Sequence, residues 1–202
     1  MPGRKITLTM DFRFLYYRIV NLLVRPERAW QIIHSENRPV TDMRRSFFLP
    51  LISLASLSAI LGSLFFTHGG LSLFYPIFLG VRYFILFIVA TYISALVLNE
   101  ITNALDLGKD FARSFKLVGY SLGPYFICQI ISLLFESLLF INLLALYGLY
   151  IFWLGMEKMT NPPEHKKMPL MIAAWVSIVA IYVVLNWILR VVIEGIYFSI
   201  FA

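Results

Sequence analysis

Charge is what this chain has least of. Asp, Glu, Lys and Arg together make up 14% of its 202 residues, where a soluble domain carries about a quarter. A second, water-exposed domain therefore has nowhere to fit. Cysteine is almost absent as well. The one cysteine, Cys128, lies inside an apolar run, which excludes an intramolecular disulfide and a cysteine-held metal cluster. The three histidines, His34, His68 and His165, are scattered. No HExxH pair, nucleophile elbow or glycine-rich phosphate loop occurs. These absences argue against an enzyme and leave no cofactor and no metal to expect. Nor is there a secretory signal, because the first apolar run starts near Phe47 and is followed by more. The net charge of +6 does not point to nucleic acid. Nine of the 17 Lys and Arg residues precede Ser46, and neither zinc-finger spacing nor an RNA-binding signature is present.

What the chain does have is hydrocarbon. Between Arg45 and Arg82 lie 36 residues without a formal charge, with 17 between Arg82 and Glu100, 19 between Lys116 and Glu136, 20 between Glu136 and Glu157, and 22 between Lys167 and Arg190. About 30 Å of bilayer core divided by 1.5 Å per residue requires roughly 20 apolar residues. The expected fold is all-α: a polytopic membrane protein whose residues 47–202 form a bundle of five transmembrane helices. The spans fall at about 47–66, 77–99, 117–135, 139–156 and 168–189. The third should bend at Gly123-Pro124. A tight hairpin near Glu136 to Asn142 should separate the third from the fourth, since one helix over Leu117–Met156 would be roughly twice the hydrocarbon thickness.

Residues 1–46 form an N-terminal segment of different character. From Asp11 to Val24 the pattern is amphipathic, with Phe12, Leu15, Tyr16, Ile19 and Leu23 opposite Arg18, Asn21 and Arg25. Pro26 then opens a second helix in its first turn, with Glu27 at the positive end and Trp30 on the apolar side. Both read as amphipathic interfacial helices. Trp30 would insert into lipid, while Arg18 and Arg25 would face anionic head groups or water. The alternative is a helical hairpin packed on the loops of the bundle.

Lys and Arg counts in the loops set the orientation. The N-terminal segment has nine. Lys109, Arg113 and Lys116 fall in the second loop, and Lys158, Lys166 and Lys167 in the fourth. The first and third loops have none. This pattern predicts a cytoplasmic N-terminus and a C-terminus on the other side of a multi-pass protein.

Three groups of residues stand out. Arg82, Glu136, Arg190 and Glu194 all fall toward the non-cytoplasmic ends of their helices. They are candidate lipid or ligand contacts, against the plainer reading of charges that snorkel or pin the rim. Tyr120, Ser121 and Tyr125 flank the break at Gly119, Gly123 and Pro124, where a substrate site or a simple kink would both fit. In the fourth span, Gly148 and Gly155 with Tyr147 suggest a close packing seam. Oxygen ligands also gather at Asn99, Glu100, Asn103, Asp106 and Asp110, but in no calcium-loop pattern.

Arg25-Pro26-Glu27-Arg28-Ala29-Trp30, Gly119-Tyr120-Ser121-Leu122-Gly123-Pro124 and Leu146-Tyr147-Gly148-Leu149-Tyr150, in this order relative to the spans, resemble the Yip family of small membrane proteins, in its prokaryotic-type members. The resemblance runs from about Val24 to Val192. It implies a five-helix integral membrane protein that catalyses nothing. Eukaryotic relatives associate with prenylated Rab-type GTPases and with one another. Their acidic Asp-Leu-Tyr-Gly-Pro segment has no counterpart in Ser46 to Leu54, so GTPase binding is not carried over. The short basic N-terminus points to the inner membrane of a bacterium or similar cell. Two functions then compete. One is a membrane organiser or adaptor, partnered by lipid, by a second copy or by another membrane protein. The other is a small transporter or lipid-handling protein, which would need a polar cavity reaching Tyr120, Tyr125, Asn142 or Asn186.

Overall fold

The computed structural model describes residues 12–36, 38–66 and 74–201, apart from the side chain of Glu136. Every element in these segments is helical. The apolar runs become helices because a backbone in hydrocarbon must satisfy its own N–H and C=O groups. α1 (Phe12–Val24) and α2 (Pro26–Ser35) precede the long helices. α3 (Val40–Met43), a π-helical stretch (Arg44–Phe48) and α4 (Leu49–Phe66) run on as one rod, Val40–Phe66. α5 (Tyr75–Ala104) follows, then α6 (Phe111–Ser121) and α7 (Gly123–Leu134). A 3₁₀-helical segment (Glu136–Leu146) leads into α8 (Tyr147–Met159), and α9 (Glu164–Phe201) ends the chain.

Among the described residues, four helices are long and apolar enough to cross a membrane: Val40–Phe66, Tyr75–Ala104, Ser137–Met159 and Glu164–Phe201. α6 and α7, bent by 41° at their junction, give a fifth where the pair counts as one span. The break is where the sequence places it. Leu122 separates the two helices, and Pro124 sits in the first turn of α7, where its missing N–H costs least.

Helix ends differ from the expected spans throughout, most at the start of the first and the end of the last. The first span extends back to Val40, because the π-helical stretch carries Arg44 and Arg45 on the same rod. The last extends through Arg190 to Phe201. The hairpin between the third and fourth spans is sharper than its expected range. Phe135 adopts an extended conformation (φ −128°, ψ 95°), and the 3₁₀ segment starts at the next residue.

α4 and α5 pack against each other, α7 lies on α4, α6 on α5 and α8, and α9 along α5. The core is rich in aromatic rings. Phe47, Phe48, Phe87, Phe115, Phe126 and Phe152 are all fully buried, linked edge-on through Phe48–Phe115, Phe48–Phe126 and Phe87–Phe126. Such pairs add roughly 0.5–1.5 kcal/mol beyond the area they bury. α9 touches the rest along a narrow face and leaves Ile172, Val176, Val179 and Val183 exposed, as a helix bordering lipid does.

Candidate functional site

α5 and α9 run antiparallel, as the pairs Tyr75–Tyr197, Arg82–Glu194 and Thr91–Tyr182 establish. This brings together three of the four rim charges expected from sequence. Arg82 Nη1 lies 3.4 Å from Glu194 Oε1, and Arg190 Nε lies 3.2 Å from the same carboxylate one turn along α9. Arg82 is buried, Glu194 half-buried and Arg190 exposed. The Arg82 guanidinium also sits 4.8 Å from the Tyr83 ring centroid, a cation–π contact that partly replaces lost hydration. The side chain of Glu136 lies outside the described residues.

The depth of this trio follows from helix geometry. At 1.5 Å per residue, Arg82 is roughly 27 Å along α5 from Glu100, and Arg190 roughly 35 Å along α9 from Lys167. Those lengths bracket the roughly 30 Å hydrocarbon core. Beyond the trio, Tyr75, Phe78, Tyr197 and Phe201 pack as a ring cluster. The cavity enclosed by Arg82, Glu194, Tyr75 and Tyr197 measures about 10 Å³, room for a single water at most. The trio ties α5 to α9 and leaves no room for a larger ligand between them.

The bent span carries the second group. Tyr120 is buried against Trp30 (ring centroids 6.0 Å apart, perpendicular) and Phe47 (4.7 Å). Tyr125 stacks edge-on against Phe87 and Tyr182, and the Tyr182 hydroxyl meets Thr91 Oγ1 at 2.9 Å. Among the described residues, Ser121 Oγ is buried without a hydrogen-bond partner. Its carbonyl faces Gly148 so closely that a Cβ there would stand 2.6 Å from the oxygen. Gly119 lies under the Met43 methyl, and Gly123 faces the Phe47 ring. Rings and small residues fill the bend. Asn142 Oδ1 accepts from Ser132 Oγ at 3.3 Å and from Gln129 Nε2 at 3.5 Å, and Asn186 is exposed on α9.

The third group is the N-terminal pair, where the structure corrects two expectations. Trp30 does not enter lipid. It is fully buried in protein and donates its indole N–H to the Ile151 carbonyl at 2.8 Å. Its ring packs so tightly on Gly155 that no Cβ fits there. Arg18 does not face water or head groups. It is buried, paired with Glu36 and set 4.9 Å from the Phe14 ring centroid. The reason is that α1 and α2 fold onto the bundle. The Tyr147 hydroxyl donates to the Leu23 carbonyl at 3.0 Å, and α2 lies against α8. Pro26 is buried at the corner between the two helices. The signal for a buried Arg18 was its place between Leu15 and Leu22 on one face, all three of which are buried.

The three carboxylates of the oxygen-rich stretch have partners other than metal, while among the described residues the buried Asn99 Oδ1 has none. Glu100 pairs with Lys109 at 2.6 Å, Asp106 with Lys166 at 3.4 Å, and Asp110 caps α6 through the Arg113 N–H. Among the described residues no group of three or more His, Cys, Asp or Glu side chains could hold a metal.

Compared with known proteins, residues 20–197 match the family model described as the Yip1 domain. No curated protein and no solved structure gives a significant match.

Proposed function

Because the chain belongs to the Yip1 domain family and is a non-enzymatic, multi-span membrane protein, we propose that it acts as a membrane organiser or adaptor. It works through α1 and α2 and through contact with a second copy or another membrane protein. Its setting is a bacterial-type inner membrane, with the N-terminus cytoplasmic and Ala202 on the opposite side. The loop charges support that orientation.

The observation that carries this reading is the way α1 is presented. The Trp30–Ile151 and Tyr147–Leu23 bonds fix the hairpin to the bundle, and the Arg18–Glu36 pair holds α1 to the end of α2. In that fixed position Phe12, Tyr16 and Tyr17 remain 58%, 71% and 59% exposed. A rigidly mounted aromatic face suits contact with a bilayer surface or a partner, because little ordering entropy is lost on binding. The core around the bend supports the same reading, since rings occupy the place where a conduit would run.

The test uses the full chain reconstituted in vesicles, with separate donor- and acceptor-labelled populations mixed before reconstitution. Energy transfer should exceed that of randomly placed proteins, and the triple variant Phe12→Ser, Tyr16→Ser, Tyr17→Ser should lower it while the helical circular dichroism stays the same. Solute or proton flux that depends on the protein and disappears in Tyr120→Phe would overturn the reading in favour of transport.

A further inference from the structure

An open groove of about 490 Å³ lies between the end of α1, α7 and the 3₁₀ segment. Its size falls within the roughly 300–1,000 Å³ of small-molecule clefts. Ile127, Cys128, Ile131, Ile141 and Leu144 form its walls, with Leu23 and Tyr147 at one end. The one hydroxyl there, that of Tyr147, already donates to the Leu23 carbonyl. Apart from the Cys128 thiol, a weak donor, the walls thus offer a ligand only hydrocarbon, which suits an acyl chain.

The Leu23 end is also where the chain turns. Arg25 follows Leu23 by two positions, about 7 Å of chain, a distance that an arginine stem covers. Arg25, Glu27 and Arg28 are exposed at this corner, leaving an excess of one positive charge. Among the described residues, neither Arg25 nor Arg28 joins a salt bridge. Leu23 meets Tyr147, which lies about 15 Å along α8 from Glu157, so the corner borders the apolar stretch of that helix. A cation held beside hydrocarbon needs a counter-charge.

We propose that the groove holds one acyl chain of an anionic phospholipid, with its phosphate bound by Arg25 and Arg28 at the α1–α2 corner. The phosphate neutralises the corner, and the chain runs along α7 from Pro124 toward Ile131. This site is independent of the organiser reading. A transporter with the same groove would hold the same lipid.

The test is native mass spectrometry of the full chain in neutral detergent, with equal amounts of dioleoyl phosphatidylglycerol and dioleoyl phosphatidylcholine. One phosphatidylglycerol should be retained per chain, preferred over phosphatidylcholine by about fivefold for each arginine engaged. Arg25→Gln with Arg28→Gln should abolish the preference without moving the melting temperature, because both side chains are exposed. Leu144→Trp, which fills the groove from an exposed helix, should remove retention of both lipids. Cys128→Phe does the same from the α7 side, should Leu144→Trp fail to fold. Equal retention of the two lipids by the unmodified chain would overturn the proposal. So would a dimer that covers the groove and carries no lipid, or undiminished retention in a folded groove-filling variant.

Discussion

Replacing Trp30 by alanine would release the N-terminal hairpin. A buried tryptophan removes roughly 150–250 Å² from solvent, which at about 25 cal/mol per Å² amounts to ~4–6 kcal/mol. That is an upper figure, because an undocked Trp30 would find apolar lipid instead of water, and helix association in a bilayer gains little from burial itself. The indole N–H bond to the Ile151 carbonyl contributes about 1 kcal/mol. Removing it strands no buried donor. Truncations of this kind cost ~3–5 kcal/mol in cores, and with lipid as the competitor we take about 3. Each 1.4 kcal/mol is a factor of ten, so the opening equilibrium of α1 and α2 should rise about 150-fold. Hydrogen–deuterium exchange in lipid nanodiscs would show it as faster exchange in peptides covering 12–35, while amides of α4 and α5 keep their protection. Trp30→Phe, which keeps a ring but loses the donor, should fall between the two. Unchanged exchange in Trp30→Ala would refute the lock. Acceleration of all helices together would refute its being local.

Gly155→Ala should reproduce the same loosening, because the new methyl meets the Trp30 ring and Leu117; combined with Trp30→Ala it should add almost nothing, a coupling that a double-mutant cycle reads directly. Glu36→Gln strands the buried Arg18 and should cost about 2 kcal/mol, below the ~3–5 of a fully buried pair because water reaches Glu36, whereas Arg18→Met with Glu36→Leu should recover most of the lost thermal stability. Gly148→Ala drives a methyl against the Ser121 carbonyl and should lower stability by ~1–3 kcal/mol in thermal melts. Exchanging charges, Arg82→Glu with Glu194→Arg, should restore the melting temperature that Glu194→Gln lowers; failure of that rescue would show that the rim pair does not hold α5 to α9.

The spans were legible because run length is a one-dimensional property: hydrocarbon thickness fixes how many uncharged residues a crossing needs. The bend at Gly123-Pro124 was legible for a similar reason, since proline removes a donor wherever the chain goes next. Boundaries were less so. Arg44 and Arg45 look like the edge of a span, yet Arg44 donates to the Tyr92 hydroxyl at 2.7 Å and lies over the Phe115 ring. Partners far along the chain let a charged residue sit on a continuous helix. Trp30 and Arg18 were misread on the same account. An amphipathic pattern tells which face is apolar but not whether lipid or protein covers it. Of the rim charges, the Arg190–Glu194 spacing was readable as one helix face, whereas Arg82 joins them only through the antiparallel pairing of α5 with α9.

The contacts of Trp30 also set an order of events during synthesis. Its acceptor on Ile151 lies 121 residues downstream, and the Tyr147–Leu23 bond spans 124. At a translation rate of about 5–20 residues per second, roughly 6–25 seconds pass between the making of α1 and α2 and the arrival of the helix that receives them. Until Tyr120 and then α8 arrive, these partners cannot cover Trp30, and a bilayer surface is the apolar phase within reach. The amphipathic pattern of the N-terminus gives the nascent hairpin an apolar face that a bilayer surface can cover until α8 is inserted. The first helices to leave the ribosome are among the last to take their final places.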